Sequence, residues 1–176
     1  AIVGKWQLNG IAHQLEGYDD NTRPYHFGFD EYSLWQLTKV KSFGERFVNP
    51  LIEQNGKALP RDENSYGPDI VSDYAVDFIK RNKGQAFFLY YPMLLVHSPF
   101  VPTPDSPEWL TPEIRSKQDN RFFVDMVHYM DKLIGKIVNT LKEEGIADNT
   151  LIMFVGDNGT KNTLVSQTKE GAVRGA

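Results

Sequence analysis

The run Thr150–Val155 is apolar and β-prone, and it ends in Gly156-Asp157-Asn158-Gly159-Thr160. A strand of this composition predicts burial on both faces, the habit of a parallel sheet inside an α/β domain. Such sheets bind their ligands outside the carboxyl ends of the strands. Asp157 and Asn158 would therefore present a carboxylate oxygen and an amide oxygen at that edge. Both are hard donors, suited to Ca²⁺ or Mg²⁺ and poorly suited to Zn²⁺ or copper. A strand ending in an Asx turn is the plain alternative for the same residues.

The rest of the chain supports an α/β reading. Asp69–Lys80 predicts a helix with Ile70, Val71, Tyr74, Ala75, Phe78 and Ile79 on one face. Ala86–Tyr91 is wholly apolar and reads as an interior parallel strand. Asn120–Glu144 predicts a long helix, its stripe running through Phe123, Met126, Val127, Met130, Leu133, Ile134, Ile137 and Leu141, with Gly145 as its C-terminal stop. Ala1–Leu8 reads as a short strand, Asn9–Asp30 as an irregular connection and Glu31–Leu37 as a helical turn. Asn55-Gly56, inside Phe47–Leu59, signals a hairpin. Five prolines punctuate Ser98–Pro112 as a loop, and Gly171–Ala176 reads as a Gly-rich loop. Helix and strand alternate, which predicts a sandwich with a mainly parallel sheet flanked by helices.

Composition narrows the function. The net charge of −4 is spread along the chain, against the basic stripe that nucleic acid requires. No run approaches the roughly 20 apolar residues of a membrane span. The chain has no cysteine, so no thiolate metal site or disulfide forms within it. Residue 1 is not Met, and the expectation is part of one catalytic domain, truncated at both ends.

Three groups follow predicted strands: Lys5 in Gly4-Lys5-Trp6-Gln7-Leu8, His97 in His97-Ser98-Pro99-Phe100, and the Asp157-Asn158 pair. Parallel neighbouring strands would bring all three to one edge. A lysine point charge, a titratable imidazole and a divalent cation suit an oxyanion ester. His128 lies off the helix stripe and reads as exposed. His13 and His26 sit in the irregular connection with no metal spacing. Trp6, Trp35 and Trp109 read as packing residues.

These segments resemble the sulfatases of the alkaline-phosphatase-like superfamily. The resemblance is carried by GKWQL (Gly4–Leu8), GFDEY (Gly28–Tyr32), Ala86–Pro104, Asn120–Thr150 and LIMFVGDNGT (Leu151–Thr160), in family order. It implies a Ca²⁺-dependent sulfate ester hydrolase, with Mg²⁺ as the alternative ion. The implied nucleophile is a formylglycine made from Cys or Ser in a C/S-x-P-x-R motif. By the same resemblance Asp157 and Asn158 are metal ligands. Lys5 contacts the formylglycine and the sulfate, and His97 contacts the ester and assists the leaving oxygen. The implied substrate is a small-molecule or glycan sulfate ester. The implied location is periplasmic, secreted or lysosomal.

Departures from the family pattern leave alternatives open. No C/S-x-P-x-R motif occurs in the chain, so the formylglycine is expected outside it, upstream of Ala1 with further Asp ligands. Gln7 stands on the substrate side where relatives often carry His; it hydrogen-bonds but accepts no proton near neutrality. A further sulfate-binding Lys is expected just past Val173–Gly175, and Lys169 does not match it. The chain alone is expected to be inactive. A phosphodiesterase or phosphonate hydrolase of the superfamily is one alternative, although Asn158 disfavours its two-zinc members. A non-catalytic binding relative is the other.

Overall fold

The computed structural model describes residues 1–8, 19–38 and 46–175. In chain order the elements are β1 (Ile2–Lys5), α1 (Arg23–His26), β2 (Tyr32–Trp35), β3 (Ile52–Gln54), β4 (Lys57–Ala58), α2 (Gly67–Asn82), α3 (Phe122–Glu143), β5 (Val165–Thr168) and β6 (Gly171–Arg174). Short 3₁₀ turns punctuate the proline-rich loop at Pro107–Leu110 and Pro112–Ile114.

β1 is the organising strand. It pairs in parallel with β2, Ile2 opposite Tyr32 and Lys5 opposite Trp35. On its other side the extended segment 88–92 runs alongside, bridged in parallel at Tyr90. Val3 N donates to Tyr90 O at 3.0 Å, and Lys5 N donates to Pro92 O at 2.8 Å. Ala86–Tyr91 thus lies beside a parallel neighbour, but it is bridged to it at Tyr90 and is not the interior strand expected. Its outer edge is open among the described residues, and Phe88 and Tyr90 remain 67% and 50% exposed. β2 continues antiparallel into β3, and β3 into β4, so the sheet is mixed. The β3–β4 turn is the expected one: Asn55 and Gly56 take φ of 48° and 85°, the double positive φ of a type I′ turn.

Both long helices form where the periodicity places them. α2 contacts β1, β2 and α3. It buries Val71, Ala75, Phe78 and Ile79, four of the predicted face. α3 buries Met126, Leu133 and Leu141. It stops in a Schellman arrangement, with Gly145 N on Lys142 O (3.0 Å), Ile146 N on Leu141 O (3.0 Å) and Gly145 at φ 71°. The larger core cluster joins Trp35, Ile52 and Tyr66 to Val71, Phe100 and Met126. A smaller one joins Ile2, Trp6, Tyr32 and Leu34.

Three local expectations are overturned. Glu31–Leu37 is not a helical turn: Tyr32–Trp35 is a strand with all four side chains buried. Two flanking strands, β1 and β3, satisfy its backbone, which one helical turn would leave mostly unpaired. Gly171–Ala176 is not wholly loop, because Gly171–Arg174 pairs with Val165–Thr168 as a hairpin. Thr150–Val155 is the largest reversal. The segment forms no strand, and none of its backbone groups is paired in a sheet among the described residues. Leu151 and Val155 are 84% and 80% exposed. A strand exists only through its neighbours, and composition tells what a segment would bury without supplying the partner. Part of the expected irregular connection, residues 9–18 with His13, lies outside the described residues.

Candidate functional site

Lys5 closes β1, and its backbone N–H is tied to Pro92, five positions before His97. The pairing of β1 with segment 88–92 therefore sets Lys5 beside the segment that leads into His97. Gly4 makes this approach possible. Its φ is +115°, and a Cβ there would lie 2.1 Å from Pro92 O.

The Lys5 side chain is half-buried. Its ammonium titrates below the ordinary 10.5, first because burial penalises the charge and second because the Arg46 guanidinium repels it. The Asp157 carboxylate acts in the opposite sense. Lys5 thus lies within electrostatic reach of both Arg46 and Asp157. Asp157 and Asn158 are both exposed, and neither has a hydrogen-bond partner among the described residues.

His97 is exposed, with Nδ1 2.7 Å from the Ser98 carbonyl oxygen. A carbonyl only accepts, so Nδ1 carries the proton. Nε2, on the far side of the ring, is then the lone-pair nitrogen of the neutral imidazole. Gln7 is exposed too, and its Nε2 donates to Gln36 Oε1 at 3.3 Å. That single long bond leaves its amide able to turn.

Arg46 had no signal in the sequence. It is 2% exposed, with its guanidinium 4.4 Å from the Trp35 ring centroid and 5.6 Å from that of Phe47. Nη1 donates to the Ser98 carbonyl at 3.2 Å, the same oxygen that His97 uses. Burial alone pushes its titration down from 12.5 to about 10.

The remaining candidates take plainer roles. His26 sits on the surface with Nδ1 3.8 Å from Asp20 Oδ2. His128 is exposed on α3, as expected. Trp6 packs edge-on to Phe27 at 5.6 Å, and Trp109 edge-on to Tyr66 at 5.3 Å. Lys169 is exposed in the β5–β6 turn. Among the described residues no cluster of three or more His, Cys, Asp or Glu could hold a metal ion. No helix is long and apolar enough to cross a membrane among the described residues.

The family model described as Sulfatase matches residues 1–170, and the chain belongs to that family, with its α/β alkaline-phosphatase-like fold. The uncharacterized sulfatase YdeN of Escherichia coli (strain K12) is 30% identical over an alignment of 178 residues that covers 90% of this chain and 30% of YdeN. Human N-acetylgalactosamine-6-sulfatase is 31% identical over 189 residues, covering 99% of this chain and 32% of that protein. The chain therefore spans about a third of the length of these relatives. Among solved structures, the crystal structure of Ps i-CgsB superposes with a TM-score of 0.58 at 26% identity, over 84% of this chain and 34% of that one.

Proposed function

We propose that this chain serves a sulfuric ester hydrolase acting on sulfated sugars. The observation that carries the reading is the convergence of charge at the end of β1. Lys5 there senses both Arg46 and Asp157, and the adjoining segment leads directly into His97. Family membership supports the reaction. The sugar preference draws on the relatives that bear the name N-acetylgalactosamine-6-sulfatase. It draws also on a solved complex of Ps i-CgsB with k-i-k-neocarrahexaose.

Each residue has a defined task in this reading. Lys5 is a partly desolvated point charge, and it neutralises one sulfate oxygen. His97, as imidazolium, gives its Nε2 proton to the departing alkoxide and returns to the neutral form with Nδ1 still protonated. Gln7 orients the ester by hydrogen bonding and takes no proton. Asp157 and Asn158 fit Ca²⁺, with Mg²⁺ as the alternative, because both offer hard oxygens that no hydrogen bond occupies among the described residues. Ca²⁺ takes six to eight oxygens, so the pair requires further ligands from outside the described residues. A bound Ca²⁺ would supply positive charge beside the sulfate oxygens. A formylglycine contributed from outside this chain would supply the nucleophilic hydroxyl.

The test uses the complete protein. It should release sulfate from p-nitrophenyl sulfate and from 6-sulfated N-acetylgalactosamine. Chelation should stop the reaction and Ca²⁺ restore it. Asp157→Ala should abolish the metal response, and His97→Ala should cut turnover by about 10². Preferential hydrolysis of p-nitrophenyl phosphate, or sulfate release indifferent to chelation, would overturn the reading.

A further inference from the structure

Arg46 is an expensive residue to keep where it is. Its charge is almost wholly removed from water, and no carboxylate among the described residues pairs with it. Its Nε has no acceptor among the described residues. A buried cation without a counter-ion costs several kcal/mol relative to an apolar side chain of similar size. The Trp35 and Phe47 rings recover part of that through cation–π attraction. Packing alone would be served better by methionine or leucine. The one hydrogen bond its guanidinium makes among the described residues is to the Ser98 carbonyl.

That carbonyl also receives Nδ1 of His97, at 2.7 Å. An oxygen with two lone pairs accommodates both donors. The charged donor sits on the buried side and anchors the oxygen. The imidazole on the exposed side then meets an acceptor that cannot turn away. Which imidazole nitrogen is protonated follows from the hydrogen bond its partner nitrogen makes.

We propose that Arg46 is the positioning residue for His97. Through the shared Ser98 carbonyl it holds the ring with the proton on Nδ1 and keeps Nε2 free to exchange a proton with a ligand. The inference rests on the reading of His97 as a site residue, but it concerns the ring's tautomer and can be tested without turnover.

The experiment is long-range ¹H–¹⁵N NMR on the complete protein labelled in histidine, with His97→Gln used to assign the His97 ring. In the wild type at a pH where the ring is neutral, Nδ1 should carry the proton. In Arg46→Met the pattern should shift toward Nε2 protonation or a mixture. Arg46→Lys, which retains a cation and a donor, should preserve Nδ1 protonation in part. A wild-type ring protonated on Nε2 would overturn the proposal. So would a folded Arg46→Met protein whose His97 keeps the wild-type pattern. If Arg46→Met does not fold, the wild-type spectrum and Arg46→Lys decide: a Nδ1 form reduced in a folded lysine variant supports the proposal, and a Nδ1 form unchanged by the loss of the planar fork overturns it. A protein without sulfate-releasing activity that nonetheless shows the tautomer shift would refute the proposed function and leave this inference standing.

Discussion

Gly4→Ala should be among the most damaging single-methyl additions this fold can receive. The new Cβ would sit 2.1 Å from Pro92 O and 3.0 Å from Pro92 C, both backbone atoms that cannot rotate aside. The residue would also be held at φ +115°, where an L side chain costs about 1–3 kcal/mol. Relief requires segment 88–92 to move off β1. That motion breaks Val3 N to Tyr90 O and Lys5 N to Pro92 O, at about 1 kcal/mol each. The sum is about 3–5 kcal/mol, a large share of the roughly 5–15 kcal/mol available to a domain. Urea unfolding of the complete protein measures it, with the slope checked for constancy. Two controls separate the contributions. Gly145→Ala, at φ +71° with no atom within 4 Å of the new carbon, should cost only about 1 kcal/mol of strain. Gly84→Ala, in open space without positive φ, should stay within about 0.5 kcal/mol. A Gly4→Ala protein as stable as the Gly84 control would refute the argument that this glycine holds the two segments together.

Other expectations follow from neighbouring contacts. Asn55→Ala should lose about 2–3 kcal/mol in the same assay. It gives up a tolerated positive φ, the bond from Tyr32 N (2.7 Å) and the bond to Tyr74 Oη (2.8 Å). Glu31 sets an acid limit. Burial pushes its carboxyl up, but hydrogen bonds from Arg81 and Tyr74, together with nearby positive charge, outweigh that and leave it below the ordinary 4.5. Its stabilisation is thus complete above pH 4.5 and fades as the pH falls through the lowered folded value. Glu31→Gln should flatten that part of a stability-versus-pH curve, and an unchanged curve would count against the assignment. Gln7→His should leave stability unchanged, since the side chain is exposed; a collapse on melting would reveal a packing role.

What the sequence discloses and what it hides divide along a physical line. Features decided within a few residues were legible. Asn55-Gly56 carries its own turn geometry, Gly145 its own helix stop, and the stripes of α2 and α3 their own periodicity. Features decided by distant partners were not. Tyr32–Trp35 is a strand because β1 and β3 lie beside it, and its own short aromatic run is equally compatible with a turn. Arg46 looks like any surface arginine until Trp35 and Ser98 close over it. Thr150–Val155 has the composition of a buried strand and is exposed here, since composition records the environment a segment suits and not the neighbour that provides it. The site is mixed in the same way. Position after predicted strands, and then the resemblance, made Lys5 and His97 candidates, whereas the link through Ser98 that joins His97 to Arg46 exists only in the fold.

The electrostatics of that fold carry one more consequence. The chain is acidic overall, at −4, yet at the end of β1 a half-buried lysine feels the charge of the buried Arg46, with the Asp157 carboxylate acting in the opposite sense. The repulsion between the cations and the desolvation of Lys5 both weaken its protonated form. An arriving anion reverses both effects, because it supplies the charge that the burial withholds. Anion binding and Lys5 protonation are therefore linked, each favouring the other by the same free energy. Affinity for an oxyanion should accordingly fall as the pH rises through the lowered Lys5 value, earlier than an ordinary exposed lysine would allow. Arg46→Met should move that fall toward higher pH, because it removes the repelling charge. Titrating inorganic sulfate binding to the complete protein across the alkaline range, by calorimetry, distinguishes this from a site that simply accumulates positive charge: such a site would lose affinity in Arg46→Met without moving the pH at which affinity falls.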